Sequence, residues 1–253
     1  MISKTFRIAR MIVLVTFALG STAWAATCSN ASLSGTYGFL HLGTDSNGTP
    51  ATAAVTQITF DSTTGTFTGE STASHDGEIV TDPVTGTYAI ASNCTGTGTP
   101  TGAIPFSIVV TSTGFLAVHL LSEGYAVKQG SPTCTNAGVK GSFGFETTGV
   151  FVAGAPVTGP VAFIGELNLK INPSGEGVIS GHVASSEGGT FLAEEPVTGS
   201  YWITPECRGG ATITPTGQPE MHFRFVVADG GNEMLAIETD PQTIVSGSLV
   251  KGN

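Results

Sequence analysis

Two strings decide how this chain folds: CSNASLSGTYGF at residues 28–39 and CTNAGVKGSFGF at residues 134–145. Six of the twelve positions are identical, and four more exchange residues of similar shape, such as Tyr37 for Phe143. Further along, DPVTGTYAIASNC at 82–94 matches EPVTGSYWITPEC at 195–207 at seven of thirteen positions. A weaker match pairs 105–110 with 222–227, and the three matches run in the same order. A repeat with so long a period is a domain rather than a solenoid unit. The chain therefore reads as two copies of one domain, residues 26–131 and 132–253, meeting at the turn-like Gly130-Ser131-Pro132. So short a junction puts the copies close together.

Each copy holds two cysteines at corresponding places, Cys28 with Cys94 and Cys134 with Cys207. Four cysteines allow three pairings, and this is the one that gives both copies the same bridge. Loops of this length are worth about 4 kcal/mol each when closed by a disulfide, on the chain-entropy account. No cysteine has a second cysteine or a histidine at metal-ligand spacing, so no metal and no cofactor are expected.

The N-terminus agrees with an oxidising compartment. Lys4, Arg7 and Arg10 precede the apolar run 11–19, and Ala23-Trp24-Ala25 supplies small residues for cleavage, the layout of a signal peptide over residues 1–25. The run is shorter than the roughly 20 residues a membrane-crossing helix needs. Thr27 before Cys28 argues against a lipid anchor. The processed chain is expected to be secreted or periplasmic, with no transmembrane helix. An outer-membrane barrel is disfavoured by the short strands, the Gly- and Thr-rich segments without an apolar face, and the cysteines.

Charged residues are only 11% of the sequence, while Gly (35) and Pro (13) are abundant. This is too apolar for disorder and too broken for helices. Three of the nine basic residues lie in the leader, so the remainder sets six against nineteen acidic residues, a formal charge of −13. Such a surface repels phosphate backbones, and nucleic acid is not an expected partner.

Strand signals in copy one recur over 35–42, 53–60, 65–71, 86–91, 96–102, 106–111, 115–121 and 125–129, punctuated by short turns such as 45–48, 61–65 and 112–114. Short links join antiparallel neighbours, and about eight strands close on themselves. The fold class is all-β: two tandem antiparallel meander β-barrels, with β-sandwiches as the alternative. Phe106 and Ile108, like Phe223 and Phe225, alternate with polar neighbours and mark the inward face.

The repeated Cys…Gly-Thr-Tyr-Gly-Phe opening, the Thr-Gly-Thr-Tyr…Cys-Thr-Gly centre and the Thr239-Asp240-Pro241…Ser246-Gly247 ending resemble secreted bacterial proteins of unknown function, frequent in soil acidobacteria. The meander is also similar in architecture to calycin and allene oxide cyclase barrels. None of the catalytic residues of those families has a match here.

Chemistry is sparse. There is no Gly-x-Ser-x-Gly elbow and no phosphate-binding loop. His41, His75, His119, His182 and His222 are scattered without ligand spacing and read as surface or rim residues. Aligning Ala117 with Ala236 sets His119 opposite Glu238. Turned into a barrel, these two would be ionisable groups in an apolar pocket, although Leu116, Val118 and Leu120 make the better core face. Tyr88 and Tyr201 correspond to each other and suit either a buried, hydrogen-bonded hydroxyl or a ligand contact. The turn 229–233 gathers oxygens without the spacing of a calcium loop and reads as a hairpin.

The candidate binding residues are thus His119, Glu238, Tyr88 and Tyr201. The leading expectation is a non-catalytic module for small apolar ligands. A structural or surface-interaction protein with filled barrels, and an isomerase or cyclase of the allene oxide cyclase type, are the alternatives. Ligand identity and oligomeric state are not legible.

Overall fold

The computed structural model describes residues 27–44, 48–119, 122–130, 134–155 and 158–252; the leader, most of the 45–48 turn, Leu120 and the 131–133 junction lie outside them. The first copy forms β1 (Gly35–Thr44), β2 (Pro50–Asp61), β3 (Thr66–His75), β4 (Glu78–Ile90), β5 (Thr95–Pro100), β6 (Phe106–Val110), β7 (Gly114–His119) and β8 (Ser122–Lys128). The second forms β9 (Gly141–Phe151), β10 (Gly159–Ile171), β11 (Gly177–Glu187), β12 (Thr190–Ile203), β13 (Arg208–Pro215), β14 (Met221–Ala228), β15 (Glu233–Glu238) and β16 (Thr243–Lys251). Each set is a closed antiparallel barrel in which every strand pairs with the next and the last returns to the first, as Phe39 opposite Ala126 and Phe145 opposite Leu249. The eight strands expected in copy one are all present. Only β4 begins much earlier than its pattern suggested, because its Thr-, Asp- and Pro-rich first half has no apolar alternation to betray it.

One end of each barrel is closed, and the disulfides lie there. A 3₁₀ turn (Asn30–Leu33, and Asn136–Val139 in copy two) seats Leu33 or Val139 in the end of the barrel, both fully buried. The bridges are Cys28–Cys94 and Cys134–Cys207, each with its Cα atoms 4.9 Å apart. Cys94 and Cys207 share a positive φ (68° and 66°), and their carbonyls accept from Val110 and Val227 respectively. Above the plug of the first barrel, Phe60 meets Tyr37, Tyr88 and Phe115 edge to face at 5.7, 4.8 and 5.5 Å. The inward face is the one the alternation marks: Ile108, Phe223 and Phe225 are buried, while Ser107, His222 and Arg224 are exposed.

The two barrels pack side by side. Leu40, Ala53 and Val55, on the outside of β1 and β2, join Val226, Leu235, Ile237 and Ile244 from β14, β15 and β16 in one buried apolar cluster. Polar contacts surround it: the Arg208–Glu70 ion pair, Ser74 Oγ donating to the Thr243 carbonyl, and Gly230 N donating to the Gln129 carbonyl at 2.9 Å. An apolar centre with a polar border is the anatomy of a stable protein interface. Gly77 in this border has no space for a side chain: a Cβ there would fall 2.5 Å from Gln242 Cα of the other barrel.

This packing corrects one sequence expectation. Leu116 and Val118 are not core residues; they are 49% and 56% exposed, while Phe115 and Ala117 turn inward. Register explains the apolar pattern. Leu116 and Val118 hold the positions of Leu235 and Ile237, which in copy two cover the other barrel. The apolar outer face belongs to the repeat, and only the second copy buries it here.

Candidate functional site

The end of each barrel opposite its disulfide is open and leads into a cavity. In barrel one the cavity measures about 510 Å³ and lies over Phe39, Ala54, Ile58, Phe67 and Phe106. In barrel two it measures about 260 Å³ between Phe151, Phe163, Val183, Leu192 and Met221. Below it the second barrel is almost solid, with a void of about 20 Å³ among Phe145, Leu167, Tyr201 and their neighbours. Contacts between Gly77 and Gln242 at the mouths, and between Gln129 and Gly230 at the closed ends, show that both mouths open on the same side of the molecule.

The alternation that turns Ala117 and Ala236 inward does the same for the residues two places on. His119 lines the first cavity and Glu238 the second. Glu238 is 3% exposed, and its Oε2 has no hydrogen-bond partner. Burial first, then the charges of Asp240 and Glu187, pushes its carboxyl up to about 8. The His119 Nε2 is likewise buried without a partner, while its carbonyl accepts from Ser122 Oγ at 3.0 Å.

The structure gathers residues that spacing alone did not. His41, His75 and His119 all line the mouth of barrel one, although they come from β1, β3 and β7. Burial holds the His41 imidazole below its usual range, and His119 and His75 add to the effect. These three rim residues, scattered in sequence, meet at one mouth, because closure of the barrel joins strands far apart in sequence. In barrel two the corresponding positions carry Thr147, Glu187 and Glu238. The repeat itself held that signal: carrying the alignment into β3 and β11 sets His75 opposite Glu187.

Asp240, also on the second mouth, is fixed from behind. One oxygen accepts from the His222 backbone N–H at 2.8 Å and the other bonds His222 Nδ1 at 2.7 Å, while Nε2 faces Glu220 at 3.0 Å. The bond to Asp240 is the main reason the imidazole pKa is raised. Among the described residues no group of His, Cys, Asp or Glu is arranged to hold a metal ion. The 229–233 segment is a tight connection containing a 3₁₀ turn between β14 and β15.

Tyr88 and Tyr201 lie toward the other end. Their hydroxyls donate to the Asn30 and Asn136 carbonyls at 3.0 and 2.9 Å, and the same asparagines accept from Ile90 N and Ile203 N. Neither tyrosine lines either mouth cavity. They tie the 3₁₀ plug to the barrel wall.

No family model matches the sequence, and no curated protein matches it. Among solved structures the chain is similar to a protein of unknown function from the DUF3598 family of Nostoc punctiforme, at 12% identity over 91% of this chain and 98% of that one, with a TM-score of 0.25.

Proposed function

We propose that this is an exported, non-catalytic binding protein in which each barrel holds one small, largely apolar molecule at its open mouth. The observation that carries the reading is the pair of cavities: apolar walls above a closed, packed base, each with an ionisable side chain that has a buried polar atom without a partner, His119 Nε2 in one and Glu238 Oε2 in the other. Such a void costs stability when empty, and an apolar pocket with a few placed polar groups is the usual form of a small-molecule site. Solid spacers would have no reason to keep two of them.

Two disulfides fit an oxidising compartment outside the cytoplasm, and no helix among the described residues is long and apolar enough to cross a membrane. Export rests in addition on the basic, apolar and small-residue pattern of residues 1–25, which lie outside the described residues.

Titration of the processed protein with Nile red tests the proposal, followed by displacement with straight-chain alcohols. Saturable binding is expected, weakened by Ala54→Trp, which fills the mouth of barrel one. Absence of saturable binding by the dye and by the alcohols would end the reading.

A further inference from the structure

We propose that the mouth of the second barrel is a site for an apolar ammonium ion, a ligand with a hydrocarbon or aromatic body and one protonated amine held by Glu238. The inference rests on the apolar-ligand reading above and adds the head group.

The charge around the cavity is all of one sign. Glu187 approaches from β11, Glu195 from β12, Glu220 from the segment before β14 and Asp240 from the segment after β15, around Glu238 itself; among the described residues no Lys, Arg or His lines the cavity. The nearby cationic candidate, His222, is already bonded to Asp240 and Glu220. The element pairing with β15 at this level contributes Phe223, which is apolar. A carboxylate or phosphate head would meet repulsion from every side, whereas an ammonium would be drawn in.

A ring of acids alone would be an ordinary solvated rim. What makes this one a site is Glu238, buried to 3% exposure with Oε2 unpartnered in the wall of the cavity. An ionised carboxylate so placed needs a counter-charge, and among the described residues no cationic side chain lines the cavity to supply one. An ammonium with an apolar body supplies it, while Phe151 and Phe163 offer aromatic surface to the remainder. The first barrel sharpens the contrast. There the positions of Glu187 and Glu238 are His75 and His119, so the acidic mouth arose in one copy only.

Burial keeps Glu238 protonated near neutral pH, so taking up an ammonium displaces its proton to solvent. Affinity for the cation therefore rises with pH, by about tenfold or more between about pH 6 and about pH 8, until the ligand amine itself begins to lose its proton.

Calorimetric titration of the full processed chain with n-octylamine, n-octanol and n-octanoate separates head group from body. Octylammonium is expected to bind about tenfold tighter than octanol or more, with octanoate weakest. Glu238→Gln, of nearly the same shape, should bring octylammonium to the level of octanol and leave octanol unchanged. Ser185→Trp, which fills the cavity, should abolish the preference with the circular dichroism spectrum intact. Octanol or octanoate matching the amine, or an unchanged amine affinity in Glu238→Gln, overturns the ammonium assignment and leaves an apolar pocket standing. Failure of all three probes to bind the wild-type chain removes the apolar-ligand reading as well.

Discussion

Replacing Glu238 should change how the protein's stability depends on pH. In the folded chain burial raises this carboxyl from 4.5 to about 8, whereas in the unfolded chain it is solvated and titrates in the ordinary range. Between those values the native state holds a proton that the unfolded state has released. Stability from this group is therefore complete below about pH 4.5, declines as pH rises, and is gone above about pH 8. The rise from 4.5 to about 8 corresponds to a ceiling of about 5 kcal/mol, reduced in practice by local relaxation and water entry. Glu238→Gln, neutral at every pH, should remove that slope. Urea unfolding at about pH 5, 7 and 9, followed by the fluorescence of Trp202 on β12 of the same barrel, measures it. Other carboxylates contribute equally to both proteins, so the difference between the two profiles isolates Glu238. Parallel profiles for wild type and variant would refute the claim that this side chain is buried and unpaired.

Three further outcomes test the architecture. Leu235→Asp places a charge in the fully buried cluster between the barrels and should cost about 3 kcal/mol or more in thermal unfolding, whereas Leu116→Asp at the same position of copy one, 49% exposed, should stay within about 0.5 kcal/mol. Gly77→Ala adds a Cβ at φ +85° and 2.5 Å from Gln242 Cα, so a loss of about 1–3 kcal/mol by denaturant titration is expected. Removing the Cys28–Cys94 bridge by a double change to Ser should cost about 4 kcal/mol, and the Cys134–Cys207 bridge about the same, since their separations of 66 and 73 residues are nearly equal. A markedly unequal pair of losses would count against similar loop closure in the two copies.

Most of the fold was legible because the repeat gives every inference a second witness. Alternation in β6 was matched by alternation in β14, and the turn glycines punctuated the meander at eight-strand spacing. The bridging pattern followed from the same symmetry. The correspondence of His119 with Glu238 was also legible, but not the inward direction of the two. What misled was β7, where Phe115, Leu116, Ala117 and Val118 are apolar on both faces. Periodicity cannot choose a side in such a strand, and the larger residues suggested the wrong one. The convergence of His41, His75 and His119 was hidden for a different reason. Sequence spacing sees neighbours along one strand, whereas a barrel mouth collects residues from strand ends around a ring. Nor does any local pattern announce that Glu238 Oε2 lacks a partner, since that depends on which side chains of the other strands turn toward it.

The two copies share a backbone plan, and their differences fall on two surfaces with opposite logic. On the outside, copy one presents Leu40 and Gln57 from β1 and β2 where copy two presents Glu146 and Glu166 from β9 and β10. The contact between barrels is head to tail, β1 and β2 of one against β14 to β16 of the other, and such contacts continue into open assemblies when both surfaces recur. Here they do not recur. A second chain offering its β9 and β10 face to the bare Leu116 and Val118 would bury Glu146 and Glu166 without partners, at a cost of several kcal/mol for each ion. On the inside the substitutions run the other way: ionisable residues are kept at the mouths but exchanged in kind, histidine for glutamate at two of three corresponding positions. Charge at the outer face limits what this fold joins to itself, while charge at the mouth is what sets one cavity apart from the other.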